Sequence, residues 1–335
     1  MKRISHLVCA FLLAIPLTSC QPIGRPAKID DGIIISEAVA VRNSTAVLAV
    51  ELTQVRRGDE VAILERRKDW VKIRTSSGVE GWIEAREVIS KQMYLQAKAL
   101  EAESRAIPAQ ATGQVTGHVA LRITPGRASD DNIIFYVPSN TLVEVLARVK
   151  TERMSTTVVP KRYDPPLRAR AKETRSESSI QYDYWYQVRL PESFLVRTGW
   201  IYAPLVELKV PERLIHLQGD YSIVAWYELA TVEDEEIGPS THYVTFDRHR
   251  LRPVPGTDFD HLRLWVWDLE RHRYKIGRWE ITHGVFPVSH RVMGTTHLFQ
   301  LKLYHPRTGE LYDADYTVDV SDPTNPRLIP PKRPR

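Results

Sequence analysis

From Ile33 onward the chain is built of short apolar or alternating runs separated by turn residues. Ala46 to Val50, Val61 to Leu64 and Val71 to Ile73 are bounded by Arg57-Gly58-Asp59 and by Ser76-Ser77-Gly78. Runs of this length between turn signals predict strands. Many short strands in one small segment predict a barrel that closes on itself and so hides its edges. The pattern changes between Ser90 and Ala106, where Met93, Leu95, Ala97, Leu100 and Ala102 sit among Lys and Glu with no Gly or Pro. That spacing predicts a helical linker over 91–108, stopped by Pro108, which either packs across the first module or spaces it from the next.

Beyond the linker the β pattern returns as a second copy. Val39-Ala-Val-Arg42, Asp69-Trp70-Val71-Lys72-Ile73 and Gly81-Trp82-Ile83 recur as Val119-Ala-Leu-Arg122, Tyr184-Trp185-Tyr186-Gln187-Val188 and Gly199-Trp200-Ile201. One module occupies 33–90 and its copy 115–209. The Arg-to-Trp spacing more than doubles in the copy, and the excess falls at Lys150 to Ile180, rich in Pro and basic residues and poor in large apolar ones. Such a segment reads as a mobile insertion over 150–180, either tolerated at a hairpin tip or attracting anionic cell-wall polymer or lipid headgroups.

Within each copy, Gly81 beside Trp82 is expected to let the backbone bend while the ring fills the barrel core. Trp70 is a packing residue or a ligand platform. Arg42 either binds an anion or pairs with a carboxylate such as Glu84. On a strand Tyr182, Tyr184 and Tyr186 share one face and Trp185 takes the other. With Trp185 in the core, the tyrosines cover a neighbouring domain or offer a carbohydrate or peptide platform.

A third region, 212–322, is β-rich without the repeat. Tyr221 to Tyr227, His242 to Phe246, His261 to Trp267, Leu298 to Leu303 and Tyr316 to Val320 alternate or run apolar, and Thr308-Gly309 marks a hairpin turn. Residues 323–335 form a Pro-rich basic tail. The expected architecture is mainly β: two small barrels joined by a helical linker, then a C-terminal β-rich domain.

Charge and chemistry narrow the function classes. Lys plus Arg is 46 against 41 for Asp plus Glu, a surplus of +5 that falls further once Lys2 and Arg3 are removed. That balance gives no case for a nucleic-acid partner. The two cysteines, Cys9 and Cys20, both lie near the N-terminus, so the body holds no disulfide and no cysteine nucleophile. Eight of the 11 histidines follow Ala230, but none is spaced as a helical metal pair, and no metal or cofactor is expected. No nucleophile elbow, zinc-protease helix or phosphate loop is present, so no catalytic residue is assigned. Asp258, Asp260 and Asp268 are the candidate carboxylates were the last third a hydrolase.

Val-x-Val-Arg, a Gly-Asp before a strand, Trp-x-Lys-Ile and Gly-Trp-Ile, in that order, resemble the bacterial SH3 domain. The first copy departs from that family after Arg42, where Asn43-Ser44-Thr45 replaces its usual Gly-Pro loop; Arg122-Ile-Thr-Pro125-Gly126 is closer. The resemblance implies SH3-like barrels and a ligand such as peptidoglycan or its stem peptides, met at Arg42, Trp70, Arg122, Tyr184 and Tyr186. The alternative is a structural or assembly role with other envelope proteins as partners. Trp265-Val-Trp-Asp268 and Phe286-Pro-Val288 resemble a string in uncharacterised exported proteins that also carry such modules, which names no activity.

The N-terminus supplies an address. Met1-Lys-Arg3, the apolar run Leu7 to Leu17 and then Leu17-Thr-Ser-Cys20 resemble the signal peptide and lipobox of bacterial lipoproteins. That resemblance implies cleavage after residue 19, acylation (palmitate included) of Cys20, a tether over 20–32, and anchoring to a membrane of the cell envelope. Gln21 in place of Asp favours the periplasmic face of the outer membrane, if the cell has two membranes.

Overall fold

The computed structural model describes residues 27–153 and 182–331. The predicted signal peptide, Cys20, most of the 150–180 insertion and the last part of the tail lie outside the described residues.

The chain is mainly β, in three antiparallel sheets of seven strands each. The first contains β1 (Asp30–Ile34), β2 (Ala38–Arg42), β3 (Glu51–Arg56), β4 (Glu60–Arg66), β5 (Trp70–Arg74), β6 (Glu80–Glu84) and β7 (Val88–Ser90). Its strand order is β3-β2-β6-β5-β4-β1-β7. Helix α1 (Lys91–Ser104) follows directly, with the Ser90 hydroxyl accepting the Met93 N–H at 3.1 Å as its N-cap.

The second sheet contains β8 (Ala111–Val115), β9 (Val119–Arg122), β10 (Ile133–Val137), β11 (Leu142–Glu152), β12 (Tyr182–Arg189), β13 (Thr198–Tyr202) and β14 (Val206–Leu208). Its order, β10-β9-β13-β12-β11-β8-β14, repeats the first strand for strand. It starts at Ala111, ahead of residue 115. The repeat extends to register: Arg42 lies opposite Trp82, and Arg122 opposite Trp200. The last described pair of the β11–β12 hairpin is Glu152 with Tyr182, so the insertion joins the hairpin's two ends.

Glycine explains part of the match. A Cβ on Gly81 would stand 2.7 Å from the Arg42 carbonyl, and one on Gly199 3.0 Å from the Arg122 carbonyl. At the other side of the barrel, a Cβ on Gly32 would meet Val88 at 2.7 Å and one on Gly113 would meet Val206 at 2.5 Å. Each glycine marks a place where two strands approach too closely for a side chain.

The run Ala46 to Val50, expected as a strand, lies in the β2–β3 loop with Val47 and Leu48 exposed, and two further expectations about ring placement are corrected. Ile83 joins the barrel core with Val41, Val71 and Ile73, and Gly81 abuts the Val41 side chain. Trp82, one residue on, therefore takes the opposite face, where the Arg67 guanidinium covers its ring at 4.3 Å. In the copy, Val188 lies in the core and Tyr186, on the same side of the strand, packs against that core, while Tyr184 further along that side meets Arg148 and the third sheet. Trp185 is buried on the other side, beside Tyr202 and donating from Nε1 to Thr151 at 3.1 Å.

The third sheet is a meander of β15 (Tyr221–Asp234), β16 (Gly238–His249), β17 (Phe259–Asp268), β18 (Arg273–Met293), β19 (Thr296–Tyr304), β20 (Leu311–Asp319) and β21 (Arg327–Ile329). Its central strand β18 runs 21 residues, pairing with β17 in its first part and with β19 from Gly284 onward. One buried cluster, including Phe246, Phe259, Leu264, Phe299 and Tyr316, draws on strands from across the sheet and so shows that it is curled around a common core. Among the described residues no helix is long and apolar enough to cross a membrane.

Candidate functional site

The two barrel modules are packed together. Ile33 and Ile89 of the first join Val145, Val188 and Ile201 of the second in one buried cluster, with Met93 of α1 against it. At the far end of α1, Gln187 donates to the Ser104 hydroxyl at 2.7 Å, and Arg189 donates to the Ser104 and Ile107 carbonyls at 3.0 and 2.9 Å. The linker therefore holds both modules rather than spacing them.

This packing leaves a cleft between the modules. One hollow of about 590 Å³ is lined by Ile35, Arg57 and Arg86 on the first module and by Phe135, Tyr136 and Phe194 on the second. A wider one of about 1100 Å³ adjoins it, adding Lys68, Asp69 and Met93 on one side and Asp130 and Asp131 on the other. Arg86, Phe135 and Tyr136 border both, so the two form one cleft. Phe135 stacks on Phe194, with ring centres 5.8 Å apart and planes within 9°. Tyr136 is 56% exposed. Arg86 is held by Glu84 at 2.8 Å and Glu87 at 3.2 Å. Among the described residues Arg57 and Lys68 form no ion pair, which leaves them to meet an anion. An aromatic wall facing unpaired cations can hold a short ligand that carries both apolar groups and carboxylates.

None of the five sequence-predicted ligand residues lines this cleft. Arg42 and Trp70 do come together, with Glu84 and Glu87, around a small hollow of about 140 Å³. Glu84 pairs with Arg86 rather than with Arg42. Arg122 is buried and structural, donating to the Ser129 carbonyl, to Asn132 and to Asp130 at 3.0 Å, which fastens the β9–β10 loop. With three of its five donors spent on this loop and only 7% of the residue exposed, it presents little surface to a ligand.

Tyr184 and Tyr186 face the third sheet. The Arg148 guanidinium lies 3.9 Å over the Tyr184 ring, and Arg148 also pairs with Asp258 at 3.0 Å. Burial pushes the Tyr186 phenol up. Of the two readings open in the sequence, the tyrosines fit cover for a neighbouring domain. The cleft residues Arg57, Phe135, Tyr136 and Phe194 were missed because they lie in loops or on a short strand outside the repeated motif.

The three carboxylates considered for hydrolysis are each engaged. Asp258 accepts the Phe286 N–H at 2.9 Å besides Arg148; burial raises its carboxyl against both contacts. Asp260 accepts the His249 N–H at 3.0 Å and contacts His261 Nδ1 at 2.6 Å. Asp268 accepts the Glu270 and Arg271 N–H groups at 3.2 Å and pairs with Lys275 at 3.1 Å. Among the described residues no three His, Cys, Asp or Glu side chains converge on a metal site.

Residues 39–89 match the family model of the bacterial SH3 domain, which spans β2 to β7 of the first sheet. No curated protein matches the chain. Solved structures similar to it include NlpC2 from Trichomonas vaginalis, at 11% identity, covering 92% of this chain and 98% of that one with a TM-score of 0.18. An NlpC/P60 family protein from Bacillus cereus aligns at 13% identity over 91% of this chain and 95% of that one, again with a TM-score of 0.18. Superpositions this loose carry no inference about fold or activity.

Proposed function

We propose that this protein binds the cell wall through its paired SH3-like modules, with a peptidoglycan stem peptide lying in the cleft between them. The observation that carries the reading is the placing of Arg57 and Lys68, which have no ion pair among the described residues, across the cleft from Phe135, Tyr136 and Phe194. Stem-peptide carboxylates suit the cations, and the peptide's methyl groups and stem suit the aromatic wall. The bacterial SH3 match at 39–89 supports the same class of ligand. Acylation at Cys20 would hold the modules at the envelope, on the periplasmic face of the outer membrane in a cell with two membranes.

Co-sedimentation with purified peptidoglycan tests the binding. Retention above a control protein, reduced in Arg57→Ala and Tyr136→Ala, is the expected result; no retention would sink the reading. Mass spectrometry of the membrane-extracted protein tests the anchor, with an unmodified Cys20 counting against it.

A second reading, assembly with other envelope proteins, draws on one feature of the first module. The β2–β3 loop is closed by Asn43, whose N–H donates to the Val50 carbonyl and whose side chain accepts the Val50 N–H, both at 3.0 Å. At its tip Val47 and Leu48 are each 94% exposed. Crosslinking from this loop in cells, yielding one reproducible protein partner, would favour assembly over wall binding.

A further inference from the structure

The third sheet has a hollow of its own, remote in sequence from the intermodule cleft. On β18 the buried positions alternate through Thr282, Gly284, Phe286 and Val288, so the Thr282 side chain points into the curl of the sheet. Thr282 is 2% exposed, and among the described residues its hydroxyl has no hydrogen-bond partner. A buried hydroxyl left unpaired is a standing cost that a bound polar group would relieve. Thr282 lines a hollow of about 410 Å³ at the mouth of the curl, a position where β structures commonly hold ligands.

The other walls are flat and apolar or carry directed polar atoms. Tyr304, Tyr312 and Tyr316 line the hollow together with Pro306 and Pro330. His305 Nδ1 accepts the Arg307 and Thr308 N–H groups at 3.3 and 3.2 Å, which leaves the ring proton on Nε2 as a donor. At the rim, Arg278 donates to Glu280 at 2.6 Å, so the two charges cancel and the carboxylate keeps acceptor capacity. A lining with aromatic faces, a free hydroxyl, an imidazole donor, a carboxylate acceptor and no net charge is complementary to a ring with an apolar face and a polar edge.

We infer that this mouth is a saccharide site, taking a neutral pyranose ring. Its C–H face packs on the tyrosine and proline surfaces, and its hydroxyls meet Thr282, His305 Nε2 and Glu280. The site is independent of the cleft between the modules, and cleft variants leave it intact.

Saturation-transfer NMR on the full chain tests it, with methyl β-glucopyranoside and N,N′-diacetylchitobiose as probes and tri-alanine as control. Transfer to sugar ring protons is expected. Thr282→Val should weaken binding about tenfold, the loss of one hydrogen bond. The same change should leave thermal unfolding unaltered or raise it, because an apolar isostere suits an unpaired buried position. Tyr312→Ala, at a half-buried position, should also weaken it with the circular dichroism spectrum preserved. Transfer to neither sugar, transfer to tri-alanine alone, or unchanged affinity in both variants would overturn the proposal.

Discussion

Gly81 and Gly199 occupy equivalent positions in the two barrels, each pressed against the carbonyl of the repeat's arginine. Alanine at either site must push strands apart, and overpacking of this kind costs about 1–3 kcal/mol. Denaturant unfolding of Gly81→Ala and Gly199→Ala should show that loss in both; a loss in one alone would break the equivalence. His290 supplies a pH-dependent test. Its Nε2 lies 3.0 Å from His297 Nδ1, its ring stacks on Phe299 at 4.6 Å, and burial, then His297, pushes its pKa down to about 4. Because the unfolded chain takes the proton first, this contribution is complete above about 6.5 and is lost as pH falls towards 4. His290→Phe keeps the aromatic stacking without the proton. The stability difference between it and the parent should therefore change across that window and level off above it; a flat difference would contradict the burial argument. At this scale the sequence was a partial guide. Arg, Trp and Gly-Trp were legible as a repeat, but the sides their rings take were not, because the inward face is set by Gly81 and Ile83 rather than by the larger Trp82. Arg122 read as a ligand residue and proved to be a loop fastener, since its acceptors at Ser129, Asp130 and Asn132 come from a loop whose path the sequence does not reveal.

Helix α1 is the element on which the cleft depends. It leaves β7 at Ser90, fills the junction with Ala97 fully buried, and ends where Gln187 and Arg189 of the second module take hold of its last turn. Removing the cap in Ser90→Ala should cost about 1 kcal/mol. Since both modules rest on the helix, the loss should appear as one shifted transition for the pair, read by fluorescence of their tryptophans; a shift confined to one module would show that the helix serves only that side. The helix was legible because a run free of Gly and Pro, with apolar spacing, stands out between β segments. Its role as a clamp was not, because Gln187 and Arg189 are polar and carry no periodic signal. In the third sheet the strands with alternating apolar residues were legible, whereas the first part of β18 was not. From Arg273 to Glu280 no residue is buried and polar and apolar side chains do not alternate, so only pairing with β17 marks that stretch as a strand. Gly32 and Gly113 were also overlooked as a repeat, as a glycine in a strand is silent until its neighbour at Val88 or Val206 is known.

Across the whole molecule, the second module and the third sheet are joined by polar contacts placed in a dry seam. Gln110, fully buried, accepts the Val288 N–H at 2.7 Å and the Tyr227 hydroxyl at 3.2 Å while donating to the Val288 carbonyl at 3.1 Å. Beside it Arg148 reaches Asp258, and both side chains are nearly inaccessible to water. Nothing in the spacing of Arg148 and Asp258, 110 residues apart, announces their contact. Such a pair adds little net stability over apolar side chains, but breaking it strands a charge in the seam, at a cost of about 3–5 kcal/mol. Arg148→Ala should therefore lose about that much, while Arg148→Ala combined with Asp258→Ala should lose less than the two single losses added together. Calorimetry carries the structural half of the test. The parent should unfold its second module and third sheet together, and Arg148→Ala should separate them into two transitions. If the double variant loses the full sum, or Arg148→Ala still melts as one unit, the seam is held by its apolar and Gln110 contacts. The tyrosine face of the second module would then owe its cover to packing rather than to this ion pair.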